Sequence, residues 1–462
     1  MRVIRSYWVC LVVIALLTSC SNFLDVKEQG KLMPEETDDY ALLVHRILHQ
    51  LETGESSAVM MSSDNVANLE LFADDINANL IVSTSSDYLY AGMAINYNQK
   101  FYTDIYSVIK DCNIVIGGIG NKVDANSKNI LGTVYAIRAI CYYNLMRMYC
   151  VSFESSTADT DLGLQLVDEF NMEEKTPRSS LAETIEFIDN DFKTALQYEC
   201  NDDALLFTRP VIMAHYARFN FWIERWQNAV DNALAVIDDY PLLPYDEYVD
   251  AMSARYPSSS NVIIGSATKA STMGSLLHNI AQQSVKRRVV SLNFAKLCAQ
   301  LPATDIRRKV NYDARLITTK SVTSKFRSEE LCLIIAESYA HLDNSVDALN
   351  YLNKLRINRL GSGYYPYSPL NLPTVYEQYI TCDALGKPLT PLLSAILTER
   401  RMELFAEGDR WFELKRNGSP EFWVSTKGKK YINYQYLYTF AIPKRDVELI
   451  PNLLEQNEGY EK

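Results

Sequence analysis

The chain has 462 residues, 48% of them hydrophobic and 22% charged, which fits one large globular core or two to three ordinary domains and excludes a disordered or fibrous protein. Its formal charge of −12 repels nucleic acid and anionic lipid, so neither is an expected partner. Tyrosine is abundant, 30 copies against 5 tryptophans; most should pack, and some should offer a flat face and a polar tip to a wet site.

At the start of the chain, Arg2 and Arg5 precede an apolar run over residues 7–17, YWVCLVVIALL. Eleven apolar residues are too few to span a bilayer and suit the core of a signal peptide. The run ends in Leu17-Thr18-Ser19-Cys20, which resembles a bacterial lipobox. On that reading residues 1–19 are removed and Cys20 becomes a lipid-bearing N-terminus; an ordinary secretory signal with a chance cysteine is the alternative. No other segment is apolar for eighteen residues, so the body is expected to be tethered, not membrane-spanning. Seven cysteines remain (Cys112, Cys141, Cys150, Cys200, Cys298, Cys332, Cys382), with no CxxC, which indicates neither a disulfide framework nor a zinc site. Cys112, Cys141 and Cys332 lie among apolar neighbours in helical patterns and should be core residues.

Most of the chain reads as helix. In chain order, residues 54–100 mix Ser, Asn, Asp and Tyr and read as loop or short strand. Residues 128–150 place Ile130, Val134, Ile137, Cys141, Leu145 and Met148 at helical steps. Residues 179–197 open on Ser179 or Ser180 with Glu183 following, a capping-box signal. Residues 211–238 form two helices broken near Arg225, and 326–359 form another two broken at Asp343-Asn344. Both pairs carry small residues inside (Ala214, Ala217, Ala229, Ala233; Ala336, Ala340, Ala348) that let a partner helix approach closely, the logic of tetratricopeptide (TPR) hairpins. Between them, 252–275, 361–391 and 417–438 carry Ser, Gly, Pro and Tyr and read as loops or short strands, where long insertions often carry function. The fold class is therefore mainly α: irregular TPR-like hairpins with long loop insertions and a few short strands.

Near the C-terminus, ERRMELFAEGDRWFELKR (399–416) matches five acids, Glu399, Glu403, Glu407, Asp409 and Glu413, with five bases, Arg400, Arg401, Arg410, Lys415 and Arg416. Thr390-Pro391 should start this helix and Gly408 end its first run. Arg400 falls in the apolar stripe with Ile396, Leu397 and Leu404, where an unpaired guanidinium would cost several kcal/mol, so it needs a carboxylate. A phosphate grip would carry excess positive charge, and an acid–base or metal site lacks a histidine here. Structural ion pairing is the expectation for Glu399, Arg400, Arg401, Glu403, Glu407, Asp409 and Arg410, with Trp411 and Phe412 packing the turn after Gly408.

Taken with these features, ILTERRMELFAEGDRWFELKR resembles the C-terminal signature of the SusD/RagB family of Bacteroidetes outer-membrane lipoproteins. SCSNFLDVKEQGKLMPEE (19–36), YAIRAICYYNLMRMYC (135–150), the pair at 326–359 and FAIPKRDVELIPNLLEQNEGY (440–460) are similar to that family's start, first TPR helix, next-to-last pair and closing segment. The resemblance implies one SusD-like domain over 20–462, with an N-terminal part (20–200) and TPR helices with variable insertions (201–462). It implies a lipid-anchored protein facing the cell exterior, partnered by a SusC-like TonB-dependent transporter and binding an oligosaccharide, sometimes a peptide. It implies no enzyme activity, no cofactor and no membrane contact beyond the lipid; whether a calcium ion supports a loop is not readable from the sequence. The insertion at 252–290 and the loop at 361–391 depart from the family pattern.

Sugars present CH faces and hydroxyl rims, so their sites need aromatic platforms beside polar side chains. That chemistry nominates Asp87, Tyr88, Tyr90, Asn96 and Tyr97 first, since the family often places ligand contacts between its N-terminal segment and first TPR helix. Tyr364, Tyr365 and Tyr367 come second. Tyr431, Tyr434 and Tyr436, whose spacing suggests one strand face, come third. His45 and His49 are four apart but lack a third ligand, and Gly117-Gly118-Ile119-Gly120 lacks a phosphate-loop context. Two alternatives remain open: a lipid-anchored glycoside hydrolase using two of the 57 acids, and a TPR scaffold that binds protein only.

Overall fold

The computed structural model describes residues 34, 36–81, 91–92, 98–120, 124–171, 173, 175–374, 379–426, 429–451 and 453–460. Cys20 and the signal segment, and Asp87, Tyr88, Tyr90, Asn96 and Tyr97, lie outside them.

The mainly helical architecture starts with α1 (Thr37–Thr53), whose Glu36–Asp39 capping box fixes its entry. Helix α2 (Ser63–Phe72) and strand β1 (Ile76–Ile81) follow, inside the stretch that reads as loop from sequence. Helices α3 (Asn98–Ile119) and α4 (Ala125–Tyr149) then pack against each other. Gly118, in the last turn of α3, lets α1 approach: a Cβ there would stand 2.1 Å from the Tyr40 ring, so the glycine run serves packing, not phosphate.

Strands β2 (Leu162–Gln165) and β3 (Arg178–Ser180) pair antiparallel and lead into α5 (Leu181–Gln197). Of the two serines open as caps, Ser180 is the N-cap; its hydroxyl accepts from the Glu183 amide while the Glu183 carboxylate accepts from the Ser180 amide. Helices α6 (Arg209–Trp222) and α7 (Trp226–Leu234) form the first expected hairpin. Short α8 (Tyr248–Ser253) and β4 (Val262–Gly265) precede α9 (Thr272–Lys286), β5 (Arg288–Val290) and α10 (Leu292–Ala299). Helix α9 packs on α2, and β5 pairs antiparallel with β1.

Strand β6 (Lys325–Arg327) pairs with β4 and runs directly into the second hairpin, α11 (Ser328–His341) and α12 (Ser345–Leu360). Asp343 turns the chain between them with φ of 58°, a left-handed conformation that aspartate tolerates better than most. Ala214, Ala217, Ala229, Ala233, Ala336 and Ala348 are all fully buried, and α11 packs on both α7 and α12. Small side chains thus sit where hairpins touch.

Helix α13 (Pro391–Glu403) starts as expected, with the Thr390 hydroxyl accepting from the Leu393 amide. It ends at Glu403, before Gly408, because the chain enters left-handed conformations at Ala406 (φ 62°) and Gly408 (φ 82°). Helix α14 (Arg410–Arg416), a hairpin of β7 (Phe422–Thr426) and β8 (Lys429–Asn433), and α15 (Lys444–Leu449) close the chain. Trp411 and Phe412 are buried at the turn, with Trp411 stacked on Tyr438 at 4.4 Å. Lys415 donates from Nζ to the carbonyls of Arg147 and Cys150, both at 2.6 Å, so a side chain from α14 occupies carbonyls that α4 leaves open at its C-terminus.

One large apolar core joins most of these elements, and Cys112, Cys141 and Cys332 lie within it; two smaller clusters sit between α11, α12 and α13 and around α8. Among the described residues every sheet is a two-stranded antiparallel pair, and no helix is long and apolar enough to cross a membrane.

Candidate functional site

The first turns of α3 place Tyr102, Tyr106 and Lys110 at four-residue steps, with Thr103 and Ser107 on the adjoining ridge. Gln165 at the end of β2 and Asp446, Leu449 and Ile450 at the C-terminal α15 complete a groove of about 480 Å³. That volume falls among ligand clefts.

Its floor is aromatic. Tyr102 and Tyr106 lie 4.8 Å apart between ring centroids, and Tyr149 backs Tyr102 edge-on at 5.0 Å. The Tyr102 hydroxyl donates to Gln165 Oε1 at 3.2 Å and the Tyr106 hydroxyl to the Gln165 carbonyl at 3.0 Å. The Gln165 amide in turn donates to the Thr176 carbonyl at 2.6 Å, so both rings are locked. Burial raises the Tyr106 hydroxyl well above its ordinary range, which keeps it protonated. The rim is polar and faces water: Thr103, Ser107 and Lys110 are exposed, with Lys110 Nζ 3.6 Å from Asp111. Asp446 is half-buried, and burial pushes its carboxyl up against the opposing influence of Arg445. The two rings are tilted 49° to each other and Tyr102 is 4% exposed, so half-buried Tyr106 supplies the accessible aromatic surface. With hydroxyl, ammonium and carboxyl groups at its edge, that surface suits a ring with an apolar face and a hydroxyl rim. Asp446 is the one carboxyl among the described lining residues.

The second nominated set is split by its own backbone. Tyr365 is 48% exposed, while Tyr367 is 6% exposed and belongs to a core cluster. The Arg356 guanidinium lies 3.2 Å from the Tyr367 ring centroid and donates to the Tyr365 carbonyl at 2.9 Å. Tyr367 is therefore a packing residue, not a surface contact, which corrects its nomination; Tyr364 and Tyr365 remain accessible. The third set does not share a strand face. Tyr431 lies in β8, Tyr434 follows the strand and Tyr436 sits in the next turn, stacked on Tyr434 at 6.0 Å.

The charged stretch is a densely paired lattice, although Arg400 Nη1, Glu413 Oε1 and Arg416 Nη1 are buried without a hydrogen-bond partner among the described residues. Glu403 accepts from Arg327 at 2.6 Å and from Arg359 at 2.9 Å, with Arg307 at 3.6 Å. Glu399 accepts from Arg307 at 2.6 Å and Arg356 at 3.2 Å, and Glu407 from Lys320 at 2.7 Å and Arg327 at 2.8 Å. Arg400 makes a two-bond pair with Asp409, at 2.8 and 2.7 Å. Arg401 and Arg410 both reach Asp74, at 2.8 and 2.7 Å, tying α13 and α14 to the end of α2. Burial opposes ionisation of Glu407, but Arg327 and Lys320 overcome it and hold its carboxyl at about 2. Burial likewise works against Glu403, and Arg359 and Arg327 bring it well below the carboxylate range.

Among the described residues no group of three or more His, Cys, Asp or Glu side chains is placed to hold a metal ion, and His45 and His49 are exposed on α1. Sequence reasoning missed Tyr102 and Tyr106, although KFYTDIYSVIK carries its aromatics at a helical step. It also missed Trp423, 51% exposed on the outer face of β7, where Lys430 lies 5.1 Å from its ring.

Comparison with known proteins bears on these features. A family model described as "Starch-binding associating with outer membrane" matches residues 22–221, and the SusD family model matches 309–460; together they span about three quarters of the chain. "SusD-like protein P2" of Formosa agariphila is 25% identical over 437 residues, covering 78% of this chain and 80% of the relative. A SusD superfamily protein from Bacteroides thetaiotaomicron superimposes with a TM-score of 0.70 at 17% identity, over 91% of this chain and 99% of its own. A SusD-like carbohydrate binding protein from Bacteroides vulgatus does so at 0.68 and 19% identity, over 93% and 100%. With both sequence halves matched and the helical frame superimposing nearly end to end, the chain belongs to the SusD family.

Proposed function

We propose that this protein is a non-catalytic, lipid-anchored glycan-binding protein of the outer membrane that delivers an oligosaccharide to a SusC-like TonB-dependent transporter. The observation that carries the binding role is the groove at α3: an aromatic floor fixed by hydrogen bonds, a polar rim open to water, and a single carboxyl among its described residues. The starch-binding description of the family model and the carbohydrate-binding name of a structural neighbour favour a glycan over a peptide. The outer-membrane part of that description and the lipobox-like residues ending at Cys20 support the anchor. The buried ion-pair lattice supports a framework role for residues 399–416, because Glu399, Glu403 and Glu407 are each engaged by two or three cations.

Ser107→Trp tests the binding role from an exposed position, leaving the tyrosine floor in place. Titration calorimetry against a glycan panel, with peptides alongside, should show glycan binding by the native chain and at least about a tenfold loss in the variant at unchanged melting temperature. Equal affinity in both would move the site elsewhere. Cleavage of a glycan, abolished by removing one carboxylate, would replace the binding role with hydrolysis.

A further inference from the structure

Where α4, α6, α11, β6 and the turn before α14 converge, a small polar cavity of about 50 Å³ lies inside the protein, lined among others by Arg147, His215, Arg218, Lys325, Glu330 and Asp409. Its lining holds three cations and three carboxylates, but their pairing is uneven. Glu330 is held by Arg218 through two hydrogen bonds, and Asp409 by Arg400. Glu407, also on the wall, is held by Lys320 and Arg327. Arg147 and Lys325 are left over: neither forms an ion pair with a described residue. Arg147 donates to Asn144 at 2.9 Å and lies over the Tyr143 and Phe412 rings, while its Nε has no partner. The Lys325 side chain is 5% exposed, and its ammonium has no hydrogen bond to a described residue.

His215 points the same way. It is buried, both ring nitrogens lack a partner, and its ring packs edge-on against Phe326 at 5.2 Å. Burial, then Arg218 and Arg147, hold it well below the ordinary histidine range, so it is neutral and carries one N–H with nothing to donate to. A buried ammonium, a guanidinium edge and an imidazole N–H around one void describe a negative guest, since unmatched buried donors are otherwise costly. A water needs about 10–15 Å³ of such space, so the void accommodates one halide-sized ion with a few waters and excludes a sugar.

We propose that this cavity is a binding site for a small monovalent inorganic anion, chloride by size, held by Lys325, Arg147 and His215. Such an ion gives Lys325, Arg147 Nε and the His215 N–H the acceptor that no described residue supplies. Burial lowers the Lys325 ammonium to about 8 against the opposing pull of Glu407, and a bound anion favours its charged form further.

Crystals of the purified protein grown in sodium bromide should show an anomalous peak in the cavity. The melting temperature should rise by about 2 °C between 10 and 300 mM chloride, with sodium isethionate holding ionic strength constant. Lys325→Met should abolish both effects. A cavity holding only water in bromide crystals of the native protein overturns the proposal even if the variant fails to fold. So does a chloride dependence that Lys325→Met leaves intact, or a bromide peak without any chloride-dependent stabilisation.

Discussion

In residues 399–416 the charged groups are turned inward and engaged mostly by partners from elsewhere in the chain; around the α3 groove the polar groups are turned outward into water. Glu403 meets three guanidinium groups in a site closed to water. Ser107 and Lys110 stand on an exposed ridge above a locked aromatic floor. Both regions are rich in groups that look functional in a sequence. What separates them is whether hydrogen-bonding capacity is filled by the protein itself. A framework fills it, because a buried unpaired charge costs several kcal/mol. A recognition site leaves it open, because a sugar must supply the missing partners.

Removing the hub of the lattice should have the largest effect. Glu403→Ala takes one carboxylate from each of Arg327, Arg359 and Arg307, leaving them Glu407, Glu329 and Asp305, and breaking one buried pair already costs about 3–5 kcal/mol. Loss of about 5 kcal/mol or outright failure to fold is expected, read as a shift in urea midpoint or as insoluble protein. A loss under about 1 kcal/mol would mean that the lattice behaves like surface pairs, and the contrast with the groove would collapse. Arg400→Ala should follow at about 3 kcal/mol, since it orphans Asp409 but leaves Glu330 its second partner, Arg218. Glycan affinity of the folded variant should match the native chain. If Arg400→Ala instead lost binding at an unchanged midpoint, the charged stretch would have to be counted as part of the site.

Those two experiments concern the region that was most legible from sequence. A guanidinium in an apolar stripe has one physical resolution, so Arg400 announced its need for a carboxylate, though not that Asp409 would meet it. The hairpins at 211–238 and 326–359 were legible because helical periodicity and internal alanines are local signals. Helices α2 and α9 were not: SDNVANLELF and TMGSLLHNIAQQSVK sit in polar surroundings, and each is held by packing on the other across some two hundred residues of chain. The groove was hidden for the same reason. Its tyrosines come from 102 and 106, its far wall from 446–450, and no local pattern joins them. Tyr365 and Tyr367 show the limit most sharply, because two tyrosines flanking Pro366 have opposite fates decided by where Arg356 lies.

The smallest effect is a pH dependence that belongs to the lattice and not to the groove. Burial raises the Glu413 carboxyl to about 7, with Asp409 adding to the rise and Arg410 opposing it. Burial, then Asp75, raises Glu70 to about 8. In the unfolded chain both return to ordinary values near 4.5. Between there and about 8 the native state therefore holds more protons than the unfolded one, and stability falls as pH rises. Glu407 has the opposite sign: held at about 2, it adds stability as pH climbs from there to its unfolded value. The expected curve rises through the acid range, peaks near pH 5 and declines toward pH 8. Glu413→Gln keeps an acceptor for Arg410 and removes the titration, so the decline between pH 5 and 8 should shrink by about 2 kcal/mol, measured by urea unfolding at each pH. Ser107→Trp should leave the native curve in place, since the groove contains none of these buried acids. A decline untouched by Glu413→Gln would mean that Arg410 keeps Glu413 ionised throughout, and the upper limb would then rest on Glu70, Glu224 and Asp75, which burial also raises.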